Sequence, residues 1–292
     1  MHAAVAVCSN KGGVGKTTVA TNLAVYLRAL HEDLPVLLLG LDDQSIIDRM
    51  FRIRPREDGE GDLKHAFSAR SLERVIQLGQ YGVHFVPPPA DVELLKARAE
   101  DPGTLARLLH RLAFEGVVIV DTKSDLEALT RNALAAADLA ILPVADWASL
   151  EEAEKVVELL ARGCLGRARP KLLLTLVDRR TRVDERGRDL FDRLVEAIDR
   201  RGYERFSAYL SRSPRIEALN SATANPGSIL HHARGTQVYA QLRALADEVA
   251  ADLGIAPAPR AAARLAPAAR PAPAPGALGG LKRALLRGLG GG

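Results

Sequence analysis

Residues 3–30 place three local signals end to end. Ala3–Cys8 is an apolar run of strand length, and Thr17–Leu30 carries apolar residues at helical spacing. Between them lies Lys11-Gly12-Gly13-Val14-Gly15-Lys16-Thr17-Thr18, a glycine-rich turn holding two lysines. A strand that feeds a helix through such a turn belongs to a layered α/β fold. The N–H groups of the turn and the helix amino terminus form an anion site suited to phosphate oxygens. In that setting Lys16 is placed for the β- and γ-phosphates of a nucleoside triphosphate, and the Thr17 hydroxyl for Mg2+.

The rest of the chain repeats the alternation. Val36–Leu39, Val83–Val86, Val117–Val120, Leu139–Pro143, Lys171–Val177 and Phe206–Leu210 read as strands. Helical spacing predicts helices near Leu72–Leu78 and at Asp91–Ala99, Thr104–Phe114, Leu126–Ala137, Leu150–Arg162, Asp184–Arg201 and Gly235–Leu253. Strands that are apolar at every position are covered on both faces. The expected fold is therefore α/β, a doubly wound, mostly parallel sheet of the P-loop NTPase type. Ligands of such sheets gather beyond the carboxyl ends of the strands, where the glycine turn falls.

Composition narrows the class. Cys8 and Cys164 are the two cysteines, too few for a disulfide framework or a four-ligand zinc site, which favours a reducing compartment. No apolar run approaches the roughly 20 residues that span a bilayer, and no basic-then-apolar leader precedes the first strand. A soluble, cytoplasmic protein is expected. Charge is uneven: the net charge is +4, yet residues 256–292 carry Arg260, Arg264, Arg270, Lys282, Arg283 and Arg287 with no acid. The expected organisation is one α/β domain over residues 1–255, an Ala/Pro/Arg-rich linker over 256–277 and a short basic amphipathic segment over 278–292.

Asn10 stands where the general phosphate-loop pattern has glycine, and Lys11 follows inside the loop. This form closely resembles the deviant Walker A of the ParA/MinD family of ATPases, and the resemblance covers nearly all of residues 3–253. It implies ATP and Mg2+ as cofactors, a homodimer closed by ATP, and slow hydrolysis stimulated by a ParB-like or other activator. It also implies that Lys11 crosses the dimer interface to the partner's nucleotide. Gly40-Leu41-Asp42-Asp43-Gln44 is similar to the family's Asp-x-Asp-Pro-Gln, which implies that Asp42 positions the attacking water. Gly40 replaces the first family aspartate, as in the nitrogenase iron protein, and Asp43 replaces the proline. Val117-Val118-Ile119-Val120-Asp121-Thr122 resembles the Walker B strand, with Asp121 reaching Mg2+ through a water. Lys123-Ser124-Asp125-Leu126-Glu127 departs from the family's Pro-Pro-Ser-Leu-Gly, the switch that couples nucleotide state to dimer contacts. Residues 172–181 resemble the strand and loop near the adenine, implying base-side contacts by Thr175 and Asp178. The stretch from Ser211 to Ala218 is similar to a proline–arginine segment that flanks the nucleotide, implying Pro214 there, and that leads to a DNA-facing surface.

The cellular surface stays open at this level. Residues 178–188 hold Arg179, Arg180, Arg182, Arg186 and Arg188, which suit DNA phosphates and equally a solvated helix start with local ion pairs; the resemblance adds Arg212 and Arg215 to the DNA-facing surface. Leu278, Leu281, Leu285 and Leu289 share one helical side with Lys282 beside them, a pattern similar to MinD membrane tails that would equally fit a protein partner. Burying four leucines yields at most about 6–12 kcal/mol. Ordering the segment at ~1–2 kcal/mol per residue offsets most of that, so only paired tails would hold by avidity. The leading expectation is a partitioning or positioning ATPase whose ATP dimer binds non-specific DNA, and hence the nucleoid. Alternatives are a MinD-like ATPase at the membrane periphery and a nucleotide-sensing scaffold without hydrolysis, the latter motivated by Gly40 and Lys123. A metal-cluster carrier would need bridging cysteines that the spacing does not provide.

Overall fold

The computed structural model describes residues 2–42, 46–89, 92–163, 165–179, 187–221 and 226–257. Its sheet contains β1 (Ala3–Val7), β2 (Val36–Gly40), β3 (Gln77–Leu78), β4 (His84–Val86), β5 (Val117–Asp121), β6 (Leu139–Val144) and β7 (Arg169–Leu174). The order is β3-β4-β2-β5-β1-β6-β7, and every neighbouring pair is parallel except β3–β4. The helices are α1 (Lys16–Leu30), α2 (Ile46–Phe51), α3 (Leu63–Ala69), α4 (Val92–Arg98), α5 (Thr104–Arg111) and α6 (Ala128–Ala136). After them come α7 (Trp147–Ala161), α8 (Leu190–Arg200), α9 (Pro214–Ser221), α10 (Ile229–His232) and α11 (Gln237–Asp252).

Strand alternation divides the core into two layers. Ala4, Ala6 and Cys8 of the first strand region pack under α3 to α8, while Val5 and Val7 pack under α1, α2, α10 and α11. Both faces are apolar and covered, which is why the strands read as continuous hydrophobic runs. In register, Asp121 lies opposite both Val7 and Gly40, so the tips of β1, β2 and β5 end level. The Thr122 hydroxyl fixes this alignment by donating to the Val7 carbonyl at 3.1 Å.

Three expectations need correction. The helix near Leu72–Leu78 is a turn leading into β3, and the helix of this region is α3 instead. Asp62 starts α3 by accepting the His65 N–H at 3.1 Å, and Arg70 stops it in the left-handed conformation at φ 55°. Leu72 and Val75 are buried turn residues whose spacing imitates a helix. Phe206–Leu210 is not a continuous strand: isolated bridges at Arg205 and Ser211 flank it, and of its own N–H groups those of Phe206 and Leu210 reach the Leu172 and Leu174 carbonyls of β7, both at 2.9 Å. The N–H groups of Ser207 and Ala208 are taken instead by the Glu248 carboxylate, at 2.9 and 2.7 Å. β7 stops at Leu174 rather than Val177, because Leu176 turns left-handed at φ 53°.

Helix starts also shift. α7 begins three residues before the expected Leu150, capped by Asp146 with Ser149, and α8 begins at Leu190, capped by Asp189 with Asp192. The earlier part of the expected 184–201 helix, through residue 186, lies outside the described residues, as do the linker and the amphipathic segment from residue 258 onward. Among the described residues no helix is long and apolar enough to cross a membrane.

Candidate nucleotide site

The glycine turn joins the end of β1 to the start of α1. Gly15 is the residue before the helix, at φ 89°, a conformation that a side chain would strain. The Thr175 hydroxyl, from the loop after β7, donates to the Val14 carbonyl at 2.9 Å and is itself buried. The loop is therefore tied across the sheet top before any ligand binds. Thr175 was expected to touch the base; its hydroxyl is committed to the loop, though the residue still lines the adjoining cavity.

Lys16 is 7% exposed and donates to the Lys11 carbonyl at 3.1 Å and to Ser124 Oγ at 2.6 Å. Burial lowers its pKa, while the charges of Asp121 and Asp42 act the other way. Its ammonium thus spans the loop and the segment after β5. Ser124 belongs to the stretch that departs from the resembling family, and no pattern in the sequence signals this contact.

Asp121 closes β5 and is 2% exposed. Its Oδ1 has no hydrogen-bond partner, while the Thr17 hydroxyl bonds its carboxylate. Burial, with the Asp42 charge adding to it, pushes the Asp121 carboxyl up to about 7 against the pull of Thr17 and Lys16. An orphaned buried carboxylate oxygen beside a threonine hydroxyl is a hard-oxygen donor pair, and it fits Mg2+. Asp42, half-buried, follows β2 close enough for its charge to act on both Lys16 and Asp121. Two residues earlier, Gly40 is packed so closely that a Cβ would meet Ile47 Cδ1 at 2.7 Å. Asp43 and Gln44 lie outside the described residues.

Lys11 leaves the loop on the opposite side from Lys16. Its Nζ donates to both Asp146 carboxylate oxygens, at 2.8 and 2.6 Å. Asp146 also accepts the Ser149 N–H at 2.9 Å, so one carboxylate caps α7 and holds the lysine. Burial opposes the Asp146 charge, but Lys11 and Ser149 outweigh it and keep the carboxyl below its usual range. Asn10 joins the same helix through Glu152 Oε2 at 2.5 Å. The role of Asp146 was readable only as an Asp-x-x-Ser cap following a strand.

Beside the loop, Gly13, Gly15, Thr18, Thr175, Leu176 and Ile216 line a cavity of about 380 Å3. A second, of about 430 Å3, is lined by Asp178, Arg179, Arg212 and Pro214 and shares Ser211, Ser213 and Val238 with the first. These volumes suit a base and a sugar. Asp178 and Pro214, expected beside the nucleotide, both line this second cavity. Gly12 faces Ser124, 3.8 Å from where its Cβ would stand.

The expected DNA arginines among the described residues are each engaged within the chain. Arg179 pairs with Asp189 at 3.0 Å and Asp192 at 3.1 Å, and Arg212 pairs with Glu217 at 2.9 Å. Arg215 donates to the His232 carbonyl at 2.7 Å. Arg180 and Arg182 lie outside the described residues, as do Leu278, Leu281, Lys282, Leu285 and Leu289. Cys8 is fully buried, and burial pushes its thiol up to about 12, so it is an inert core group. Cys164 lies outside the described residues.

Residues 2–162 match the AAA_31 family, described as an AAA domain. The chain is 34% identical over 251 residues to the chromosome-partitioning ATPase Soj of Thermus thermophilus, covering 85% of this chain and 95% of that one. Among solved structures it resembles the septum site-determining protein MinD of Pyrococcus horikoshii complexed with Mg-ADP. There the TM-score is 0.65 at 21% identity, over 85% of this chain and 96% of that one. It also resembles an ATP complex of a McdA variant from Cyanothece, with a TM-score of 0.68 at 16% identity over 87% and 97% of the two chains. The last two likenesses concern the fold.

Proposed function

This chain belongs to the ParA/MinD-type P-loop ATPases, and from that premise we propose that it is a dimerising ATP switch that partitions or positions DNA or another cargo. Hydrolysis of ATP follows from the family, and the residue roles below are our reading of the geometry. The loop from Gly12 to Thr18 cradles the phosphates through its N–H groups. Lys16 exchanges Ser124 and the Lys11 carbonyl for phosphate oxygens. Thr17 and Asp121, the latter through a water, hold Mg2+, which when bound neutralises phosphate charge. Asp42 orients the attacking water, and Asp178 and Pro214 flank the base and sugar. Thr175 positions the loop. Lys11 exchanges Asp146 for the nucleotide of a second subunit, so the lysine acts once two copies face each other.

The observation that carries this reading is the buried Asp121 carboxylate with one unpartnered oxygen beside Thr17 and Lys16. A purely structural aspartate at that depth would have its oxygens satisfied. In the ATP dimer, Arg179, Arg212 and Arg215, with Arg180 and Arg182, contact DNA phosphates without reading sequence. Arg212 would exchange a half-exposed pair at little loss, and when Arg179 leaves, the buried Asp189 keeps the Asp192 N–H. A ParB-like protein or another activator would stimulate hydrolysis.

The test combines phosphate release with duplex binding. Mg2+-dependent phosphate release that disappears in Asp42→Ala is expected, together with duplex binding that requires ATP and falls steeply with salt. Phosphate release unchanged by Asp42→Ala, or duplex binding equal in ATP and ADP, contradicts the reading. Flotation with liposomes in ATP, lost on deletion of residues 278–292, would move the bound surface from DNA to membrane.

A further inference from the structure

Away from the nucleotide loop, α3, α4 and α5 enclose a cavity of about 480 Å3 whose wall carries four arginines, Arg70, Arg98, Arg107 and Arg111, with the hydroxyl-bearing Ser68 and Thr104. None of these residues lines either cavity beside the loop. Phe67 and Leu108, both nearly fully buried, form the floor, so the cavity rests on the core.

The charges are weakly compensated. Arg107 pairs with Asp101 at 2.7 Å and bonds Thr104 Oγ1 at 3.1 Å. Arg98 donates to Ser68 Oγ at 2.8 Å, a neutral partner that orients the guanidinium without cancelling its charge. Among the described residues Arg70, Arg98 and Arg111 have no carboxylate partner. Four guanidiniums around one hollow repel each other, and a bound anion turns that repulsion into attraction. Arginine forks match phosphate oxygens in paired hydrogen bonds, and the hydroxyls add neutral donors.

The shape selects among anions. A DNA duplex is convex and tracks a ridge or an open face, whereas these arginines come from three helices onto one concave spot. The volume is that of a small-molecule pocket. We propose that this cradle is a second anion site, distinct from the ATP loop, that takes a compact small molecule bearing two or more linked phosphates.

The probe is inorganic pyrophosphate, titrated by calorimetry into the full chain under two conditions that remove the loop from competition: the Lys16→Ala variant, and the unsubstituted protein saturated with Mg-ATP. Saturable binding is expected in both. It should weaken at least about tenfold in Arg98→Ala and in Arg111→Ala, and less in Arg98→Lys, which keeps the charge and loses the fork. These arginines are exposed, and thermal unfolding of each variant checks that the fold is retained; Arg70→Gln replaces any variant that unfolds early. No saturable heat in either condition overturns the proposal, as does binding indifferent to all the arginine variants. A duplex or a glutamate-rich peptide whose binding depends on Arg98 and Arg111 while pyrophosphate does not bind also overturns it, and assigns the cradle to a macromolecule.

Discussion

Two ionic clusters of this fold, one half-buried and one buried, differ in how far their charges are satisfied. At the β3 edge, Arg52 is held by Asp48 at 2.5 Å and Glu60 at 2.8 Å, and Gln77 donates to the same Glu60 carboxylate. Burial resists the Glu60 charge, but Gln77, Arg52 and the Glu57 N–H outweigh it and hold the carboxyl at about 2. At the sheet centre, Asp121 is pushed the other way, to about 7, and one of its oxygens has no partner. The first cluster is complete within the chain, and the second keeps an unpartnered oxygen. Charge drawn away from solvent thus does not by itself single out a site; what separates the two clusters is unfilled bonding capacity beside a glycine loop.

The largest effect that would break this contrast is on turnover. Asp121→Asn and Lys16→Ala should each lower Mg2+-dependent phosphate release by about a thousandfold, whereas Glu60→Gln leaves it within a few-fold. A malachite-green assay on the three variants decides it, and equal losses would erase the distinction. Stability should show the reverse order. Arg52→Leu strands two carboxylates and should cost about 3 kcal/mol in urea unfolding, while Asp121→Asn leaves the ligand-free protein as stable or more so.

A smaller effect is on pH. The folded-state value for Glu60 lies below its unfolded value, so its contribution is fully present above about pH 4.5 and lost as pH falls toward 2. Partial exposure reduces the size to about 2 kcal/mol. Acid unfolding followed by circular dichroism should become shallower in Glu60→Gln over that window. The smallest effect sharpens the comparison at the loop itself. Asp146→Asn removes the charge partner of Lys11 and should strengthen ATP-dependent dimerisation by about two- to fivefold, read by analytical ultracentrifugation. Weaker dimerisation in that variant would mean that Asp146 serves the assembled pair instead.

The strands over Ala3–Val7, Val36–Gly40, Val117–Asp121 and Leu139–Val144 were legible because both faces are buried, leaving no polar residue to blur the pattern. The glycine loop and Asp121 were legible because phosphate and metal chemistry restricts residue type as well as spacing. Asp146, Ser124 and Thr175 in its tethering role were not, since each acts through a contact more than 100 positions away in the chain. The short helices α2, α3 and α10 escaped notice because a turn or two of helix is too brief to show a period. Their starts depend on caps such as Asp62. The segment from Phe206 to Leu210 has strand-like residues, but a distant glutamate captures the Ser207 and Ala208 amides in its middle.

The tie between Lys11 and Asp146 is a pair of half-exposed side chains at a helix cap that Ser149 would keep intact on its own. Freeing the lysine unwinds no backbone and uncovers no core, so the swap is a rotamer hop on the nanosecond scale. In a switch that closes by pairing, as proposed above, the tempo would then be set by how often two copies meet and how long they stay together, and its clock would be tuned by concentration without touching the fold.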